Sequence, residues 1–175
     1  MASGLLSRVR RLPPSERALL ATAWLALGVA PLALAVVPFR RLRDWAEDET
    51  RSGRLAGPPT PERVAALVEA AAQHHFVRTT CLARALVLCR LLRRRGDAAR
   101  LVIGGARGVG SRRGGALLPG SFEAHAWVAC DGLALTPGGP IDRFTILLGQ
   151  GGASAAPRGH GEVFRLVRGC HACEA

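Results

Sequence analysis

The spacing of apolar residues changes at Gly96, and that change constrains the fold more than any other feature of the chain. Before Gly96 apolar residues recur three and four apart; after it they alternate. The first spacing marks one face of a helix, the second a half-buried strand. Val64, Leu67, Val68 and Ala71 make one helical face. Thr60-Pro61-Glu62 opens that helix with a capping hydroxyl, a proline at the first helical position and an acid in the first turn. It should finish near His74 and His75. Leu82, Ala85, Leu86, Cys89 and Leu92 make a second face, in a helix opening at Thr79 or Thr80 and running to about Arg95, with Gly96 as its stop. Strands are expected over 99–105, 122–130, 133–136, 144–148 and 163–167. Asp131-Gly132 is the hairpin turn between the second and third. Helices first and an antiparallel sheet afterwards indicate an α+β domain.

Ahead of this pattern, Ala18 to Phe39 carries no charge and has arginines on both flanks. Its length suits a membrane span. Pro31 would interrupt helical hydrogen bonding within it, and symmetric positive flanks give no orientation. The preferred expectation is a hydrophobic helical pair packing on the domain or a partner, with membrane contact through residues 18–39 as the alternative. The chain then divides into a hydrophobic helical segment (1–45), a polar linker with Glu47, Asp48 and Gly57-Pro58-Pro59 (46–60), the α+β domain (61–150) and a C-terminal extension (151–175).

Composition narrows the chemistry. All 24 basic side chains are arginine, and lysine and tyrosine are absent, which excludes a Schiff-base lysine and a tyrosine acid. Ten of the arginines lie between Arg78 and Arg113, against the single acid Asp97. A net charge of +11 suggests an acidic partner. Aromatics are 5% and none interleaves with the arginines to stack bases, so nucleic acid is not expected. The five cysteines (81, 89, 130, 170, 173) form no regular disulfide framework, which points to a reducing, cytoplasmic setting. Cys170-His171-Ala172-Cys173, with His160 nearby, resembles half of a zinc site; without a second pair no metal is expected. No cofactor is expected either.

Two short stretches carry chemistry. Thr79-Thr80-Cys81-Leu82 puts a thiol on the opening turn of a helix, where unpaired N–H groups and the macrodipole favour thiolate. Ala124-His125-Ala126-Trp127-Val128 puts an imidazole in a strand, and alternation sends His125 and Trp127 to one face and Ala124, Ala126 and Val128 to the other. Thiol and imidazole within hydrogen-bond reach would make an activated nucleophile. The plain alternatives are a small buried hydrophobe for Cys81 and a half-buried histidine bonded across the sheet for His125. Cys89, inside the helix, suits a structural role, and Cys130 lies beside a turn without an activator. His74, His75, His160 and His171 compete with His125.

The pattern Cys81-Leu82-x-Arg84-Ala85-Leu86, then Leu91-Leu92-Arg93-Arg94-Arg95-Gly96, Leu101-Val102-Ile103-Gly104 and Phe122-x-Ala124-His125-Ala126-Trp127-Val128, resembles the B-type leader peptidases of lasso-peptide biosynthesis. The likeness is to the split form without its own leader-binding domain. It runs on through Asp131-Gly132 to Arg143-Phe144-Thr145 and includes Pro38-Phe39-Arg40-Arg41-Leu42, covering roughly residues 5–150. The resemblance implies a transglutaminase-like (papain-like) fold and a cytosolic cysteine peptidase that removes the leader of a ribosomally made precursor. Cys81 would be the nucleophile and His125 the general base and acid. Implied partners are the precursor, a separate leader-binding protein and an ATP-dependent cyclase. The family's orienting aspartate falls around Pro137-Gly138, where this chain has no acid. Asp142 is the nearest downstream candidate, and Asp131 reads as the hairpin residue. Competing readings are a catalytically idle scaffold of the maturation complex, an acyl-transferring enzyme on the same fold, and a basic membrane-surface protein.

Overall fold

The computed structural model describes residues 9–48, 59–107, 122–135, 141 and 144–149. Among them four helices precede four strands: α1 Pro14–Val36, α2 Phe39–Glu47, α3 Pro61–Gln73, α4 Cys81–Arg94, then β1 Ala99–Arg107, β2 Phe122–Cys130, β3 Leu133–Leu135 and β4 Thr145–Leu148. The strands form one antiparallel sheet in the order β3-β2-β1-β4. The α+β order expected from periodicity is the order of the fold. The strand expected over 163–167 lies outside the described residues.

Local chemistry explains the boundaries. The hydroxyls of Thr60 and Thr80 accept the N–H groups of Arg63 and Ala83 and so cap α3 and α4. At the end of α4, Gly96 has φ of 89°. Gly96 N–H donates to the Arg93 carbonyl at 3.0 Å, and Asp97 N–H to the Leu92 carbonyl at 3.1 Å. These two bonds make a Schellman stop. Asp131 and Gly132 both have positive φ, 48° and 79°, as a two-residue hairpin requires. Pro31 lies within α1 without ending it; it forfeits one backbone bond, but the helix continues to Val36. The break comes at Val37, whose extended backbone (φ −103°, ψ 132°) is the conformation favoured before a proline.

The hydrophobic N-terminal segment packs on the domain. Ala23 and Leu27 of α1 and Ala46 of α2 are fully buried in the same core as Val64, Leu88, Leu92 and the sheet residues Leu101 and Val128. Polar contacts fix both helices. Arg63 donates twice to the Glu16 carboxylate, at 3.1 and 2.8 Å. Leu101 N–H donates to Glu47 Oε1 at 3.1 Å, and Arg93 Nε to the Glu47 carbonyl at 2.9 Å. Because Glu47 is held this way, α2 runs two residues past position 45.

The opposite face of the sheet carries a smaller cluster of Val102, Ala106, Trp127 and Phe144, with Ala129, Ala134 and Ile141 against it. Gly104 makes this cluster possible. A Cβ there would stand 2.8 Å from both the Trp127 ring and Phe144 Cβ.

Candidate functional site

Cys81 is the first residue of α4. Thr80, just before it, is extended (φ −77°, ψ 161°) and accepts Ala83 N–H at 3.2 Å. Arg84 holds the approach to the helix. Its Nε donates to Thr79 Oγ1 at 2.9 Å, its Nη2 to the Thr79 carbonyl at 3.3 Å, and its Nη1 to both oxygens of Glu69 at 3.2 Å. The residue two before Cys81 is thereby tied to α3. Sequence reasoning quoted Arg84 within a motif and gave it no role. The signal was present: a cation in the first turn opposes the helix dipole, so its charge must be used elsewhere.

The three described cysteines are all free, and burial divides them. Cys89 is fully buried and Cys130 is 2% exposed. Burial pushes both thiols up to about 12, with the Glu47 charge adding to it at Cys89 and the neighbouring Asp131 carboxylate at Cys130. Both stay protonated and unreactive at neutral pH. Cys81 is half-buried at the edge of the helix-side core. Cys170, His171, Cys173 and His160 lie outside the described residues.

His125 is the fourth residue of β2, half-buried, and pairs with Gly104 of β1. Its ring stacks between aromatic neighbours, with centroids 5.3 Å from Phe144 and 6.2 Å from Trp127. Nε2 is shielded from solvent. Ala126 and Val128 belong to the helix-side core and Trp127 to the opposite cluster, so alternation places His125 on the ring-lined side. Of the other histidines, His74 is exposed and His75 has a structural task. Val77 N–H donates to its Nδ1 at 3.0 Å, so Nε2 carries the proton and donates to the Trp24 carbonyl at 3.1 Å. That bond clamps α1 to the loop after α3.

By length, the start of α4 and the rung of His125 fall toward the same end of the sheet. The Schellman turn reverses the chain, and α4 packs on β1 and β2. The helix is roughly 21 Å long at 1.5 Å per residue. A strand returning at about 3.3 Å per residue covers that length from Ala99 near Gly104 and Gly105, the rung of His125. Cys81 and Ile103 both pack against the helix-side core. The two side chains enter from different layers: Cys81 borders the helix-side core, whereas His125 stands with Trp127 and Phe144. A cleft of about 390 Å³ lies at the other end of α4, lined by Arg43, Glu47, Arg93 and Arg100 among others, and contains neither residue.

Asp142 and Pro137-Gly138 lie outside the described residues. Ile141 and Phe144 are described: both belong to the cluster on the His125 side, and Phe144 N–H donates to the Ile141 carbonyl at 2.9 Å. Asp131 is at the far end of β2, its Oδ2 3.8 Å from Cys130 Sγ. It lies six positions beyond His125, roughly 20 Å at strand rise, so Asp131 serves the hairpin.

A thiol at a capped helix start is suited to nucleophilic acyl chemistry once an imidazole comes within hydrogen-bond reach of it. Here Cys81 borders the helix-side core and His125 the ring-lined face of the sheet. Residues 23–149 match one protein-family model, that of the transglutaminase-like superfamily. No curated protein and no solved structure matches the chain.

Proposed function

Because the chain belongs to the transglutaminase-like superfamily, we propose that it is a cysteine peptidase removing the leader from a lasso-peptide precursor. The reading is carried by Cys81, a half-buried thiol at the capped start of α4, where the two other described thiols are buried and protonated. The Cys81 thiolate attacks the scissile carbonyl, and the His125 imidazole, having taken the thiol proton, returns it to the departing amine of the core peptide. The leader remains as a thioester on Sγ. Water, deprotonated by His125, then releases it as a carboxylic acid and regenerates the thiol. The N–H groups of Cys81 and Leu82, ahead of the Ala83 N–H that Thr80 caps, suit the oxyanion. Asp142 is the proposed orienting acid, supported by its neighbours Ile141 and Phe144 packing on the His125 side. A separate leader-binding protein presents the precursor, and an ATP-dependent cyclase closes the ring on the freed core. The proposed setting is the cytoplasm.

One observation favours a second reading. The family's usual place for the acid holds Pro137-Gly138, which suits a catalytically idle scaffold between the leader-binding protein and the cyclase. Intact-peptide mass spectrometry of the full chain with leader-binding protein and precursor separates the two. Cleavage at one leader–core bond, lost in Cys81→Ala, is expected. No cleavage by a cognate set favours the scaffold. An aminolysed rather than hydrolysed leader would identify an acyl-transferring enzyme.

A further inference from the structure

Helix α1 is apolar on two opposite sides. The side facing the domain carries Ala23 and Leu27, both fully buried, and Glu16, paired with Arg63. Half a turn away, Leu25, Val29, Leu32 and Val36 fall at i, i+4, i+7 and i+11 and form one straight stripe. These four are 64%, 62%, 66% and 70% exposed. A helix that is apolar all round is ordinarily buried on every side, and this one meets solvent along roughly 16 Å of its length. Beside the stripe stand Trp24 and Phe76, with ring centroids 5.4 Å apart and Phe76 78% exposed.

Charge is arranged around the stripe. Between Ala18 and Phe39 there is none. Arg10, Arg11 and Arg17 precede it and Arg40 and Arg41 follow, all exposed. The nearest carboxylates are committed, Glu16 to Arg63 and Asp44 to Arg43. An apolar stripe with cations at both ends matches a surface that is oily in its interior and anionic along its border.

We propose that α1 is an interfacial anchor lying in the plane of an anionic lipid surface. Leu25, Val29, Leu32 and Val36 enter the acyl region, Trp24 and Phe76 sit at headgroup level as aromatic belts do, and the flanking arginines meet lipid phosphates. At 23 residues and a mean hydropathy of 2.1 over its most apolar window, α1 is long and apolar enough to cross a bilayer. Crossing would strip Ala23 and Leu27 from the core and break the Glu16–Arg63 pair, so the helix lies on the membrane while its other face holds the domain. A protein partner would need an apolar groove but no anion at both ends of it. The anchor is independent of the chemistry at Cys81.

Flotation of the full chain with vesicles of phosphatidylcholine, alone or mixed with phosphatidylglycerol, tests the anchor. The chain should float with the anionic vesicles and less well at high salt. Val29→Glu combined with Leu32→Glu should reduce binding about tenfold or more, with an unchanged far-ultraviolet circular dichroism spectrum and thermal midpoint because both positions face solvent. Arg40→Gln with Arg41→Gln should weaken the preference for anionic vesicles. Absence of flotation, or equal flotation by the double-glutamate variant, overturns the proposal. So does a dimer, or a complex with the leader-binding protein, that the double-glutamate variant abolishes while no vesicle binding is seen.

Discussion

Cys89 and Cys130 differ from Cys81 in what surrounds the sulfur. Inside α4 and at the end of β2, apolar neighbours replace water, and the thiolate loses its solvation. Their ionisation is pushed up to about 12, whereas an unfolded chain ionises its thiols near pH 8.5. Between those two values the unfolded state has released protons that the folded state keeps. Stability is therefore full below the unfolded value and falls as pH rises through this window, by about 1.4 kcal/mol per pH unit per thiol. Urea midpoints measured at pH 8 and pH 10.5 should show the loss, and Cys89→Ala should make the decline shallower. An identical decline in that variant would mean that Cys89 is not protected. The division of roles among the cysteines was legible from position: a residue on a helix's apolar face reads as core, and one at a helix start does not.

At the scale of the element, α4 is a helix whose start is held from outside. Its cap is local, Thr80 to Ala83, but the strand of chain before it is tied by Arg84 to Thr79 and through Glu69 to α3. Arg84→Met keeps the aliphatic stem and removes these bonds. The Arg84 and Glu69 side chains are 21% and 24% exposed, so solvent screening limits the expected destabilisation to about 1–2 kcal/mol. Under the peptidase reading its effect on leader cleavage should exceed that on stability, appearing as a fall in kcat with KM little changed. A variant that merely lowers the thermal midpoint while kcat holds would give Arg84 a structural role alone. The caps, the Gly96 stop and the Asp131-Gly132 hairpin were readable because each depends on two to four adjacent residues. The Arg84 bridge was not, since Glu69 lies fifteen residues away and only packing of α3 on α4 brings it near.

The whole molecule is organised around one helix-side core that reaches from α1 to β3. Leu27 is fully buried in it, although it lies in a segment whose composition equally suits a membrane. Leu27→Ala should therefore destabilise the entire domain, by about 2–5 kcal/mol, in one cooperative transition seen by calorimetry. A separate low-temperature transition, leaving the main one unmoved, would show that α1 folds apart from the sheet. The exposed stripe of Leu25, Val29, Leu32 and Val36 on the other side of the same helix is the face proposed to meet an anionic surface.

Element type, order and most boundaries follow from the sequence alone, because periodicity, caps and tight turns are short-range physics. The same is true of the thiol at a helix start and of the face His125 shares with Trp127, which alternation dictates. Tertiary structure decided the rest. It made the N-terminal helices part of the core, since burial of Ala23, Leu27 and Ala46 depends on surfaces that α3, α4 and the sheet create together. It also set the rung at which His125 stands, opposite Gly104, through the register of β1 on β2. Contacts between residues distant in sequence are selected by packing complementarity, and no local window of the chain contains that information.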